Sequence, residues 1–277
     1  MKPVVILITF LVLLASSALA GQYGSVEEWY LYPSLQYFTW KEYTDGRRLV
    51  KEEGPLFGVG GGVVGGLYRK TLMLKANGEL FGSEVDYHGH TQQGSDPKVS
   101  ERPLSTKVVY FGMKLEGDIG WRMQPATTWF VEPFAGIGYR WWLRALESST
   151  ATDTDGKPFP VGGYTEVWQT LYSRVGLRGN SEVSTDFNLF CEAGGKYPFL
   201  NRNSADNPGT GTVTLRPDPR WSLFAEVGAR YGKFRPALFY EGFRFGQSPA
   251  VPVGGGLALL QPKSDSDLFG IRFGWAF

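Results

Sequence analysis

The two histidines of the 277-residue chain stand close together, in Glu84-Val85-Asp86-Tyr87-His88-Gly89-His90. Residues two apart on an extended strand share a face, so Glu84, Asp86, His88 and His90 would project together. Such a group could hold a metal ion, or set a carboxylate against an imidazole for proton transfer. A short His-x-His also arises readily by chance, and the plainer expectation is two polar residues at a strand end facing water. No catalytic residue is assigned, and His88 and His90 stand as metal candidates alone. Cys191 is the single cysteine, which excludes an internal disulfide and a cysteine-based zinc site. It falls on the apolar face of an alternating segment, with Phe187, Leu189, Ala193 and Tyr197, where it reads as a small packing residue. A nucleophilic thiol needs a basic, partly exposed setting that these neighbours do not supply. Gly58-Val59-Gly60-Gly61-Gly62 has the glycine content of a phosphate-binding loop but neither the following helix nor the Lys-Ser/Thr. It reads as a glycine-lined strand, kinked where the sheet bends. No cofactor is implied.

The elements that must position these residues are strands. Aromatics make up 15% of the chain and glycine contributes 37 residues, a composition that favours sheets over helix bundles. With 28 basic and 27 acidic residues the net charge is +1, so no electrostatic footprint for nucleic acid exists. Met1-Lys2-Pro3, the apolar run Val4 to Leu14 and Ala18-Leu19-Ala20 form the three-part pattern of a secretory signal peptide. Residues 1–20 are expected to be cleaved before Gly21, leaving 21–277 as a single domain.

Beyond Gly21 no stretch is long and apolar enough for a spanning helix, and the chain alternates with period two. Val109, Phe111, Met113, Leu115, Ile119 and Trp121 fall on one face, Tyr110, Lys114, Glu116 and Asp118 on the other. Trp129 to Leu143, Phe187 to Tyr197 and Trp221 to Tyr231 repeat the pattern, with aromatics at both ends of the apolar rows. A barrel in lipid requires this, because one face meets hydrocarbon and the other a polar lumen. Ten strands are expected, at about Glu27 to Tyr43, Pro55 to Tyr68, Thr71 to Gly89, Leu104 to Arg122, Thr128 to Arg144, Thr165 to Arg178, Thr185 to Phe199, Arg220 to Gly232, Arg235 to Gly246 and Leu268 to Phe277. Eight or twelve are the alternatives. Long connections at Thr44 to Gly54, Gln92 to Pro103, Glu147 to Tyr164, Leu200 to Pro219 and Gln247 to Asp267 alternate with brief links at Arg69-Lys70, Gln124 to Thr127, Gly179 to Ser184 and Lys233-Phe234. Long outer loops and short periplasmic turns are the expected assignment.

The last eleven residues, DLFGIRFGWAF, set Phe269, Ile271, Phe273, Trp275 and Phe277 on one face. This segment resembles the C-terminal strand of bacterial outer-membrane β-barrel proteins. The resemblance implies an antiparallel up-and-down transmembrane barrel in the outer membrane. It also implies that Phe273, Trp275 and Phe277 form the signal read by the barrel assembly machinery. It names no family and fixes no activity. No sequence characteristic of the omptin-like surface proteases surrounds His88, and Ser83 is out of phase for a serine and histidine pair of the kind used by lipid A deacylase-like barrels.

The polar face carries Lys75, Glu79, Lys114, Glu116, Asp118, Glu132, Arg140, Glu166, Arg174, Arg178, Glu192, Lys196, Glu226, Arg230 and Arg272. Charges in so narrow a space are costly unless paired, so a network of ion pairs across the lumen is expected. Ten strands should leave little or no continuous pore. The leading expectation is a non-enzymatic barrel of envelope-structural or surface-interaction role. Its partners would be outer-membrane lipid and a surface ligand at the outer loops. A narrow porin-like channel for small solutes comes second and a rim enzyme around His88 third. From the phase, Ile137→Arg should disrupt folding far more than Gly136→Ser.

Overall fold

Period-two alternation broken by tight turns closes the chain on itself. The computed structural model describes residues 24–67, 71–91, 97–207, 211–254 and 257–277; the expected signal peptide and the Arg69-Lys70 link lie outside these. Ten long strands form the wall: β1 (Gly24–Thr44), β2 (Arg47–Leu67), β3 (Leu72–His90), β4 (Pro103–Trp121), β5 (Trp129–Leu146), β6 (Tyr164–Ser184), β7 (Phe187–Asn207), β8 (Ser222–Tyr231), β9 (Phe234–Phe245) and β10 (Lys263–Ala276). Each pairs antiparallel with the next. Strand β10 pairs with β1, with Tyr30 opposite Ala276 and Tyr43 opposite Lys263, so the barrel has no free edge. At this seam the ring of Phe277 stacks on Trp29, centroids 4.0 Å apart, and its backbone N–H donates to the Trp29 carbonyl.

The strand number agrees with expectation, but several boundaries do not. The expected long loop from Thr44 to Gly54 is instead a two-residue hairpin turn. Asp45 and Gly46 both have positive φ, at 50° and 79°. An Asp-Gly step suits such a turn, and Arg47 to Gly54 continues as strand. The expected link Gly179 to Ser184 is strand, and the turn falls at Thr185-Asp186. Much of the expected loop Leu200 to Pro219 extends β7 and returns as Gly211–Leu215, paired from Asn203 to Asn207. The last strand begins at Lys263 rather than Leu268.

Strands of 21 residues are twice what a membrane needs. At ~3.3 Å per residue and a tilt of ~40° they rise roughly 50 Å, against a hydrocarbon core of about 30 Å. The side chains show where the excess lies. Along β1 the outward residues Trp29, Leu31, Leu35 and Tyr37 are apolar and exposed, while Ser34 and Gln36 are buried inside. Further along the same strand the polarity inverts: Phe38 and Trp40 are buried and Lys41 faces out. Strand β3 does the same. Leu80 is exposed opposite buried Glu79, then Val85 and Tyr87 are buried while Glu84, Asp86 and His88 are exposed. The first half is apolar outside and polar inside, as lipid demands; the second is polar outside and apolar inside, as water demands. The barrel therefore stands well clear of the apolar belt on the side away from its short turns.

The phase makes Ile137, 51% exposed in the belt, a lipid-facing residue. Arginine there should cost about 2 to 4 kcal/mol. Gly136 is not the tolerant control that the sequence suggested: a Cβ on it would lie 2.2 Å from Asp118 Oδ1 and 2.4 Å from the Gly117 carbonyl. Asn77, which lines the lumen beside Lys75, Glu116 and Arg272, is the sounder comparison. Asn77→Ser should unfold within about 0.5 kcal/mol of the parent in urea titrations, and a matching cost for Ile137→Arg would show that the faces are misassigned.

Candidate functional site

The barrel interior is built in three layers. The middle layer holds the charges. From β4, Lys114 reaches Glu241 on β9 at 2.7 Å and Glu79 on β3 at 3.8 Å. Lys196 on β7 takes the other Glu241 oxygen at 2.5 Å, so one carboxylate bridges two ammonium groups. Arg174 on β6 joins Glu116 at 2.5 Å, Asp118 at 3.4 Å and Glu192, which also receives Lys75 at 2.7 Å. Arg178 ties Asp118 at 2.7 Å to Glu132 at 3.0 Å. Arg272 on β10 pairs with Glu226 and lies 3.3 Å from Glu79. Glu79 further accepts from Ser34 Oγ at 2.7 Å and from Gln36. Most of these charges are buried, and Lys75 with Glu192, Lys114 with Glu241 and Arg272 with Glu79 join strands that are not neighbours in the wall, so the network cross-braces the barrel. Aromatic rings line the same space, with Lys196 Nζ 3.9 Å above Phe243 and the Arg272 guanidinium 4.1 Å above Phe239.

Small residues make the room. A Cβ on Gly60 or Gly62 of β2 would meet the Tyr32 or Tyr30 ring at 2.5 to 2.6 Å, so the glycine run is the bed of two lumen tyrosines. This replaces the expected kink.

Towards the long-loop end the lumen is filled by rings. Trp142 and Trp168 stack at 5.3 Å and 8°, Trp40 meets Trp168 edge-on at 5.1 Å, and Phe245 lies 5.4 Å from Trp168. Phe38, Phe81, Tyr110, Tyr172 and Phe243 extend the same cluster. Within it Arg144 pairs with Glu52 and, at 2.9 Å, with Glu166; the Tyr110 hydroxyl also donates to Glu52. Glu42 accepts from Trp40 Nε1 at 2.9 Å and Gln261 Nε2 at 3.0 Å, and burial raises its carboxyl above the ordinary range against the pull of Arg144. At the short-turn end the lumen opens into a cavity of about 230 Å³ lined by Glu27, Glu28, Arg122, Arg178, Arg230 and Arg235 among others. There Arg122 meets Glu27 at 2.8 Å, and Arg230 meets Glu28 at 2.8 Å.

The residues read from the polar face thus sit at three levels. Glu166 and Arg140 belong to the aromatic layer and Arg230 to the open mouth, which Arg178 also lines, while the others lie between. Among the described residues Arg140 forms no ion pair; its guanidinium lies among the rings of Phe81, Phe243 and Trp142 at 4.7, 4.9 and 5.3 Å. Glu241, Glu52 and Arg144 were missed. Glu241 is in phase with Phe239 and Phe243 on β9, where an aromatic-rich inner face hid the polar signal.

His88 and His90 project from the outer wall. His88 Nδ1 lies 3.1 Å from Ser105 Oγ, and His90 Nδ1 lies 3.3 Å from the Leu49 carbonyl. The neighbouring carboxylates are engaged: Lys107 donates to Asp86 at 2.7 Å, holding that carboxyl below its usual range, and lies 3.7 Å from Glu84. No group of three metal-ligating side chains occurs among the described residues. Cys191 is exposed on the lipid-facing side.

Neither a protein-family model nor a curated protein sequence matches the chain. Among solved structures it is similar to the outer membrane protease OmpT from Escherichia coli, with 13% identity and a TM-score of 0.60 over 93% of this chain and 99% of that one. Weaker likenesses join it to the transport unit of the autotransporter AIDA-I from Escherichia coli, with 11% identity and a TM-score of 0.42 over 92% and 91% of the two chains. An outer membrane channel from Pseudomonas putida F1 follows, with 11% identity and a TM-score of 0.39 over 93% and 98%. At such identities fold alone is shared. The apolar belt, the closed strand order and the OmpT likeness together give the chain the fold of a ten-stranded outer-membrane β-barrel.

Proposed function

We propose that this barrel is non-enzymatic, sealed along its axis, and acts as an envelope-structural or surface-interaction protein through the part it holds outside the membrane. The stacked Trp142 and Trp168, backed by Trp40 and Phe245, carry this reading, because they occupy the lumen where a solute path would have to pass. The buried ion pairs beneath support it, since moving an ion past them means breaking pairs in a space with little water. Outer-membrane lipid is its immediate partner, and a surface ligand at the long-loop end is the further one. A narrow channel is the second reading, favoured by the cavity of about 230 Å³ at the short-turn mouth. The rim-enzyme reading has less behind it, as His88 and His90 line none of the cavities described.

Planar-bilayer recording of the purified protein tests this. Silence is expected. Steady unit steps that change when Arg140 or Glu132 is replaced would establish the channel instead.

A further inference from the structure

The outer wall just beyond the apolar belt is unevenly charged. Lys41 on β1 stands directly opposite Lys51 on β2 in the strand register, an arrangement of like charges that weakens a sheet unless something lies between them. Two residues further on, Tyr43 stands opposite Arg48 on one side and Lys263 on the other, and the Lys263 ammonium lies 5.2 Å over its ring. Four cations on three neighbouring strands thus gather within two steps of one another. Their acids are few. Lys51 pairs with Glu53, and Lys263 lies 3.8 Å from Asp265, which stands opposite Lys41 in the register of β10 and also faces Arg244 at 3.9 Å. Lys41 and Arg48 form no ion pair among the described residues. The contrast with Lys107 on the same wall is direct, for that single lysine is held by both Asp86 and Glu84.

The height of the group matters as much as its charge. Tyr37, half exposed, marks the upper edge of the belt on β1. Four residues beyond it, at ~3.3 Å each and a tilt of ~40°, Lys41 lies roughly 10 Å higher along the membrane normal. Headgroups occupy the zone just above the hydrocarbon, and a lysine stem lets the ammonium reach down to them.

We propose that Lys41, Lys51, Arg48 and Lys263 form a binding site for a phosphate group carried by an outer-leaflet lipid. The inference rests on the membrane-spanning reading of the barrel. One phosphate between Lys41 and Lys51 would turn their repulsion into two charge-assisted contacts, with Arg48 and Lys263 closing the upper side.

The protein is refolded into phosphatidylcholine vesicles with or without lipid A bearing its two phosphates, and the midpoint of thermal unfolding is followed by heat-modifiable migration. Lipid A should raise the midpoint by about 5 °C. The Lys41→Ser/Lys51→Ser double variant, folded in plain vesicles, should lose most of that rise, and Lys107→Ser should keep it. A full rise in the double variant would overturn the proposal, as would an equal loss in Lys107→Ser or an equal rise with dephosphorylated lipid A. The same rise from inorganic phosphate without the lipid would assign the site to a free anion and overturn the lipid source. The folded band in phosphatidylcholine alone reports the barrel itself, so a folded barrel that ignores lipid A defeats this inference without touching the membrane reading.

Discussion

Glu241→Ala should destabilise the barrel by about 3 to 5 kcal/mol. The carboxylate is buried and holds Lys114 at 2.7 Å and Lys196 at 2.5 Å. Its removal leaves Lys196, itself almost wholly buried, without an ion pair, and leaves Lys114 only the longer contact to Glu79. The penalty lies in stranded charge more than in lost attraction, which a second change can separate. Lys196→Met placed on Glu241→Ala should return part of the loss, since it removes one stranded ammonium and leaves an apolar stem beside Phe243. Urea unfolding of the detergent-refolded proteins measures both. A cost below about 1 kcal/mol for Glu241→Ala would mean that water reaches these lysines and that the lumen is wetter than its packing implies.

Trp168→Ala should cost a similar amount, about 3 to 5 kcal/mol, by a different route. The indole is fully buried, stacked on Trp142 and edge-on to Trp40, and its Nε1 donates to Glu166 at 2.7 Å. Truncation opens a void between strands that cannot collapse, because the wall is fixed by its own hydrogen bonds. Bilayer recordings of the variant should still be silent, since the ion pairs between Lys114, Lys196 and Glu241 fill the section below. Large steady steps from Trp168→Ala would show that the aromatic layer alone seals the lumen.

Much of this was legible in the sequence, and the reason is periodicity. Val109 to Trp121 and Phe269 to Phe277 alternate so plainly that strand, face and number follow from the lipid boundary alone. The aromatic layer was not legible, because a lumen is recognised by a polar inner face and here the inner face turns apolar beyond the membrane. Along β1 the period never breaks between Leu35 and Lys41; what changes is which face is apolar. That exchange was visible as Lys41 in phase with Leu35 and Tyr37, but it means something only once a strand is known to outrun the membrane. The Asp45-Gly46 turn was legible too, and was lost because Thr44, Arg47, Arg48, Lys51, Glu52 and Glu53 around it resemble a solvated loop. Partner choice in the ion network was not recoverable from sequence. The pairing of Lys114 with Glu241 crosses 127 positions and depends on the curvature of the closed wall.

The seam between β1 and β10 has a consequence for how the molecule comes into being. Tyr30 meets Ala276 across almost the whole described chain, and a contact of that separation, roughly 250 residues, carries a loop-closure cost of about 5 kcal/mol. Every other wall pairing joins sequence neighbours and is cheap to form. Until the seam closes, two strand edges expose unpaired backbone groups to hydrocarbon, which no half-formed sheet can tolerate. A stable open-sided state in the membrane is therefore excluded by energetics: the last pairing is the most remote and also the one on which all the others depend.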